Sequence, residues 1–382
     1  MTPAEKDVAE EDLVRARVEA LLVSHPPAGT PPERFWAAQF DAGLAWVGSP
    51  PGSGGVGVRP GLQVVVDELL GKAGAPLNWD RNPAGLGAGA AALLAAGSGE
   101  QRRWWLRPLF TCAEVWCQLF TEPDAGSDLA AVTTTAVPEG DEWVVRGRKV
   151  YSTLAHVARW GLLLARTHPE LSKHGGLTCF ALDMTTPGVT VRPIRAMDGD
   201  AEFDEVVLDE ARVPDAHRLG PPGGGWQVAV ATLASERLAL AGPTRDRDGG
   251  PIGEALRLWR DREDRDPVLR HRLAVLWIDA EVARLTVGRA RAGSPAAAAV
   301  ARILTAEVDQ RVWELCVELL GADGALYDSW EPHTPHAAGE SRRDPRRAYL
   351  RSRALTVQGG TAEITRTLLA ERVLGLPSAP RT

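Results

Sequence analysis

Phe120-Thr121-Glu122-Pro123-Asp124-Ala125-Gly126-Ser127-Asp128 is the stretch from which the rest of the chain is best read. It leaves an apolar run, Val115–Thr121, and enters a loop of small residues. Gly126 permits close backbone approach, and Thr121 and Ser127 set hydroxyls beside backbone amides. Such a loop suits a phosphate or the polar edge of a ring cofactor. An ordinary turn between strands has the same residues.

Outward from this loop the chain has a β texture. Val115–Thr121, Ala131–Val137, Glu142–Arg146, Gly161–Arg166, Leu177–Asp183, Val189–Ile194 and Phe203–Leu208 are short runs rich in β-branched and apolar residues. Turn signals such as Pro138-Glu139-Gly140-Asp141 and Thr186-Pro187-Gly188 separate them, and runs at this spacing predict a sandwich or barrel. On both sides the pattern is helical. Val14, Val18, Leu21 and Leu22 recur at helical spacing, and Pro and Gly clusters at Pro26–Pro32 and Pro50–Gly57 cut this part into short helices. Beyond the strands, Trp226–Leu240, Pro267–Ala290, Ala296–Leu320 and Thr361–Leu374 read as helices, the last stopped by Gly375 and Pro377. The expectation is an α+β chain: an N-terminal helical domain over 1–113, a β domain over 114–219 and a helical domain over 220–382.

With 382 residues, the chain is long enough for two or three cores. Its 43 basic and 50 acidic residues leave a net charge of -7, which argues against nucleic acid or an anionic membrane surface as partner. Arg342, Arg343, Arg346 and Arg347 cluster locally, and a solvated helix end accounts for them. Cys112, Cys117, Cys179 and Cys316 fit neither a zinc site nor a disulfide scaffold, so no metal is expected and a reducing cytoplasm is the natural setting. The acidic N-terminus is not a secretory signal. The most apolar stretch, Ala84–Gly97, is about 14 residues where a membrane span needs roughly 20, and reads as a close-packed buried helix.

Two further segments carry chemistry. In Gly147-Arg148-Lys149-Val150-Tyr151-Ser152-Thr153, an aromatic ring two residues before a hydroxyl lies on the same strand face. Tyr151 can stack on a planar cofactor while Thr153 bonds its edge; a packed sheet tyrosine is the alternative. In Gln358-Gly359-Gly360-Thr361-Ala362-Glu363-Ile364, two glycines lead into a helix start. A plain turn capped by Thr361 is the alternative there.

Together and in this order, TEPDAGSDLA, GRKVYST and GGTAEITRTLLAERVLGLP resemble the acyl-CoA dehydrogenase family. DMTTPGVTV, DEVVLDEARVP and GGGWQVAVATLASERLALAG extend the resemblance over nearly the whole chain; it is weakest before Gly85 and over 243–266. GLLLARTHPE, EFDEVVLDEARVP and LRSRALTVQGGTAEI look most like the subgroup acting on bulky acyl chains, including sterol side chains. The resemblance implies the family's fold: N-terminal helices, a middle β domain and a C-terminal four-helix bundle. It also implies FAD as cofactor and α,β-dehydrogenation of an acyl-CoA, with electrons leaving to an electron-transfer flavoprotein.

By motif match, Phe120, Thr121 and Ser127 correspond to flavin-binding positions. Tyr151 stands where the family usually has Trp, Thr153 matches the hydroxyl that bonds flavin N5, and Thr361 and Glu363 match positions near the ADP half. Some members carry Gln in place of Glu363. The family's base is a carboxylate that removes the α-proton while the β-hydrogen leaves as hydride to N5. Many members carry it in a Glu-Gly-Thr tail, where this chain has Gly359-Gly360-Thr361. A second family arrangement places it before an arginine on the first C-terminal helix, and here that reads Ser235-Glu236-Arg237-Leu238. Thr232, Leu233, Ala239 and Leu240 are the helical neighbours of Glu236, and a carboxylate on so apolar a face is either functional or held in an ion pair. Glu236 is thus the expected base, Arg237 a residue that orients or charge-tunes it, and Gly359 the vacated alternative.

The family's Arg-x-x-Phe-Gly stretch, which holds the FAD pyrophosphate of a neighbouring subunit, is replaced here by Arg245-Asp246-Arg247-Asp248-Gly249-Gly250. This implies either a homo-oligomer, dimer or tetramer, with weaker flavin contacts, or a heteromer with a related subunit. The rival readings are a non-catalytic or partner-dependent subunit, or an acyl-CoA oxidase, acyl-carrier-protein dehydrogenase or flavin monooxygenase on the same fold.

Overall fold

Val14, Val18 and Leu21 fall on one buried stripe of α1 (Pro3–Ser24). The structure, a computed structural model, describes residues 3–240, 247–291, 293–327, 329, 333–338 and 344–378. Short helices follow α1, as the proline and glycine clusters require: α2 (Pro32–Asp41), α3 (Gln63–Lys72), α4 (Ala90–Ala96) and α5 (Gly99–Phe110). Much of the Ala84–Gly97 stretch is buried, Ala95 being exposed, and a wide π turn over Gly85–Gly89 opens it before α4 begins. Ser98 and Gln101 cap α5 reciprocally, each side chain bonding the other's backbone amide. Gln101 Nε2 then donates to the carbonyls of Ala216 (2.8 Å) and Arg218 (2.9 Å), tying α5 to the end of the β region.

Among the described residues, eight strands form one hydrogen-bonded sheet: β1 (Trp116–Leu119), β2 (Thr135–Glu139), β3 (Glu142–Thr153), β4 (Trp160–Arg166), β5 (Leu177–Asp183), β6 (Val189–Ile194), β7 (Phe203–Pro214) and β8 (Arg218–Leu219). Their order is β6-β7-β3-β2-β4-β5-β8, with β1 added in parallel to β4. Leu119, Trp143, Phe180, Leu182, Val206 and Val213 belong to its buried core. The expected strand Ala131–Val137 starts only at Thr135, because the amides of Thr133 and Thr134 are taken by the Glu122 carboxylate rather than by a neighbouring strand. β3 and β7 each run past their expected ends, since they pair with one another as far as Thr153↔Phe203 and Glu142↔Pro214.

The C-terminal helices are α6 (Gly225–Leu240), α7 (Pro251–Asp261), α8 (Pro267–Arg291), α9 (Pro295–Leu319), α10 (Pro345–Ser352) and α11 (Ala362–Leu368). Ile252, Leu258, Leu273, Leu276, Val312 and Leu315 fill the core shared by α7, α8 and α9. α7 lies in the stretch where the family resemblance is weakest; Ile252, Ala255 and Leu258 nevertheless recur at helical spacing and are buried. Arg346 and Arg347 depart from the expected solvated helix end. They are only 20% and 15% exposed, Arg346 paired with Asp344 and Arg347 with Asp200. Arg342 and Arg343 lie outside the described residues.

By contacts the chain forms two units. One comprises Met1–Ile194, Glu202–Thr232 and His336–Ala338; the other comprises Arg195–Ala201, Leu233–Pro335 and Gly339–Thr382.

Candidate functional site

In the first unit, the loop after β1 and the end of β3 lie together. Val150 N–H donates to the carbonyl of Thr121 (2.9 Å), and Lys149 Nζ donates to the carbonyl of Phe120 (3.0 Å). Phe120 is buried, Thr121 half-buried, and Gly126 and Ser127 exposed at the loop's outer side. A Cβ placed on Gly126 would meet nothing within 4 Å, so the loop has open space beside it.

Strict alternation would put Lys149 and Tyr151 on one face. Instead Lys149 is fully buried and Tyr151 is 63% exposed. The cause is a bulge: the pairing of β3 with β7 shifts between Lys149 and Ser152, and Tyr151 absorbs the shift with φ 57°. A left-handed backbone costs a non-glycine residue about 1–2 kcal/mol. Here it holds an aromatic ring outward, packed edge-on against Phe203 with ring centres 6.4 Å apart. Ser152 is then buried and Thr153 half-buried. An outward ring, a hydroxyl two residues on and an open small-residue loop fit a planar cofactor with a polar edge.

Beneath this surface lies an ion pair that the sequence reading did not single out. Lys149 Nζ is 2.9 Å from Glu122 Oε1, with side-chain exposures of 0% and 5%. Glu122 also accepts from Thr133 N (2.7 Å), Thr133 Oγ1 (2.8 Å) and Thr134 N (2.9 Å). Burial alone would raise the Glu122 carboxyl; the Lys149 charge and the threonine hydrogen bonds outweigh it and hold the group at about 2. Burial pulls the Lys149 ammonium down to about 8 against the pull of Glu122. Lys149 follows Trp143, Val145 and Gly147 at every second position of β3, and a lysine on that apolar face is the signal that would have found the pair.

In the second unit, Glu236 is half-buried on α6. Buried Arg302 of α9 interacts with its charge: burial lowers the guanidinium below its ordinary value, and Glu236 opposes that shift. Arg302 Nη2 donates to the carbonyls of Leu355 and Gln358, so the cation whose field Glu236 shares also holds the residue before Gly359. Gly359 and Gly360 both have left-handed backbones, φ 65° and 91°. Thr361 Oγ1 caps α11 by accepting from Ile364 N (3.2 Å), and Glu363 is exposed in its first turn. The side chain of Arg237 lies outside the described residues. Arg302 went unnoticed in the sequence, although it carries the same signal as Glu236, a lone charge among Ala298, Ala299 and Ala306.

Arg245 and Asp246 also lie outside the described residues. The next two are engaged by α8: Arg247 stacks over Trp277 at 4.8 Å and lies 3.8 Å from Glu281, and Asp248 Oδ1 accepts from Trp277 Nε1 at 2.9 Å. Among the described residues no group of three or more His, Cys, Asp or Glu could hold a metal, and no helix is long and apolar enough to cross a membrane.

Residues 117–211 match the model of the acyl-CoA dehydrogenase middle domain, and residues 223–374 that of the acyl-CoA dehydrogenase C-terminal domain. The chain is 36% identical to acyl-CoA dehydrogenase IpdE1 of Mycobacterium tuberculosis, over 90% of this chain and 88% of that protein. It is 35% identical to acyl-CoA dehydrogenase FadE34 of the same organism over 97% of its own length, which spans about half (50%) of FadE34. Similar solved structures include the ChsE4-ChsE5 complex from Mycobacterium tuberculosis, with TM-score 0.73, 27% identity and 99% of each chain covered. Another is the Tcur3481-Tcur3483 steroid ACAD, with TM-score 0.72, 25% identity and 99% of each chain covered.

Proposed function

The chain belongs to the acyl-CoA dehydrogenase family, and we propose that it is an FAD-dependent enzyme that introduces an α,β double bond into a bulky acyl-CoA. The observation that carries this reading is Glu236, a half-buried carboxylate coupled to buried Arg302 in a chain whose tail position is Gly359. The likeness to a steroid ACAD supports a bulky acyl group.

Bound FAD would supply the two-electron acceptor that takes the β-hydrogen as hydride. Phe120, Thr121 and Ser127 would hold it from the loop, Tyr151 would cover a ring face, and Thr153 would bond the ring edge. Thr361 and Glu363 are assigned to its ADP half. Glu236 would remove the α-proton, and for this it must be ionised in the resting enzyme. Arg302 favours that state, while partial burial keeps the carboxylate short of water and so a stronger base. Arg237, next on the helix, is assigned to orienting it.

The electron acceptor is proposed to be an electron-transfer flavoprotein, the setting the cytoplasm, and the assembly an oligomer. Val275, Ile278, Val282 and Leu285 are 41–57% exposed and recur at three- and four-residue spacing along α8, an apolar stripe of the kind that seats a partner helix. A second reading, a subunit that depends on a related partner, is favoured by the engagement of Arg247 and Asp248 with the chain's own α8 and by likeness to the ChsE4-ChsE5 complex.

Flavin content per chain, solution mass and dye reduction by a panel of acyl-CoAs test the proposal. A coloured protein that reduces dye with bulky acyl-CoAs supports it, and a protein that stays colourless after FAD addition contradicts it. Oxygen consumption in place of dye reduction would indicate an oxidase or monooxygenase.

A further inference from the structure

We propose that the buried Lys149–Glu122 pair positions the flavin cradle: it clamps the Phe120–Asp128 loop to the end of β3 and sets the fixed charge beneath the bound ring. The inference rests on the flavin reading above. Its physical basis is the geometry of the clamp. Lys149 Nζ reaches the Phe120 carbonyl (3.0 Å) and Glu122 Oε1 (2.9 Å), and the next residue, Val150, bonds the Thr121 carbonyl (2.9 Å). Three consecutive loop residues are thereby fixed by two consecutive strand residues. Glu122 extends the clamp through its other partners, holding Thr133 and Thr134 out of β2.

Stability alone is a poor reason for such a pair. Desolvating two charges costs about as much as their attraction returns, and apolar replacements are often as stable. What a satisfied buried pair supplies is one defined geometry. The residues it defines are those assigned to the cofactor: Phe120 and Thr121 on one side, Tyr151 and Thr153 on the other. The clamp also sits immediately before the bulge that turns Tyr151 outward.

The test uses the purified full-length holoprotein with Lys149→Met, Glu122→Gln and the double variant. FAD affinity after flavin removal, the flavin midpoint potential and Tm are measured. Both single variants are expected to bind FAD at least about tenfold more weakly, since a charge-assisted contact is lost. Their potentials should move in opposite directions: loss of the cation disfavours the electron-rich reduced flavin, and loss of the anion favours it. The double variant leaves no lone buried charge, so it should recover Tm and potential yet still bind FAD weakly. Recovery of affinity together with Tm, shifts of potential in the same direction, or unchanged affinity in folded single variants would overturn the positioning role. If Lys149→Met does not fold, Glu122→Gln and the double variant still decide. Wild-type protein that takes up no FAD would instead overturn the flavin reading, and this inference with it.

Discussion

Arg302 on α9 donates a hydrogen bond to the carbonyl of Gln358, the residue before the Gly359–Gly360 turn. The same guanidinium bonds the Leu355 carbonyl and interacts with the charge of Glu236. It thus holds the turn where the family's other base would sit and adds a positive field at the carboxylate assigned as base. Arg302→Met should cost about 2–4 kcal/mol of stability, because two carbonyls lose a charged donor in a buried setting. It should also shift the acid limb of flavin reduction to higher pH, since a nearby cation favours ionised Glu236. A pH profile of the reductive half-reaction checks this; an unshifted limb would remove Arg302 from the tuning of the base.

Gly359 has φ 65°, a conformation that side chains rarely adopt. Gly359→Glu should destabilise the protein by about 1–2 kcal/mol and should not restore flavin reduction in a Glu236→Gln background. Thermal melting and single-turnover kinetics check both. Recovered activity on straight-chain thioesters would show that the tail still serves as a base position.

Tyr151 carries backbone strain at an exposed bulge. Tyr151→Gly should therefore raise the stability of the flavin-free protein, by up to about 1 kcal/mol, less the entropy that glycine loses on folding, while weakening FAD binding. These effects have opposite signs and separate a functional tyrosine from a packed one. A lower apoprotein Tm with unchanged FAD affinity would place the ring outside the cofactor site.

Glu122 is held at about 2, below its ordinary 4.5. A depressed carboxyl stabilises the fold fully above its unfolded value, and that contribution is lost as pH falls from about 4.5 toward 2. Release of FAD should therefore begin within this acid window. Flavin fluorescence against pH measures it, and Glu122→Gln should flatten the part of the transition that belongs to this group.

The apolar, β-branched runs between turn signals were legible because strands such as β4 and β5 are buried on both faces, and the helical spacing of Val14, Val18 and Leu21 because α1 buries one stripe. The family motifs marked the Phe120–Asp128 loop and the Gly147–Thr153 strand. The bulge at Tyr151 was not legible, since it depends on the register with β7 rather than on local sequence. The late start of β2 was hidden for a similar reason: Glu122 takes amides eleven and twelve residues away. Arg302 was visible as a lone charge among apolar neighbours and Lys149 as a charge on the strand face of Trp143 and Val145, but their partners come from other elements, which spacing along the chain does not reveal.

Glu236 is assigned to remove the α-proton. The most direct test of that role is anaerobic mixing of the FAD-loaded protein with a bulky acyl-CoA, wild type against Glu236→Gln, following flavin absorbance. The expected result is rapid bleaching in the wild type and a loss of at least about 10²–10⁴ in rate in the variant, with FAD content and thioester binding unchanged. Bleaching of Glu236→Gln at near wild-type rate would show that Glu236 is not the base.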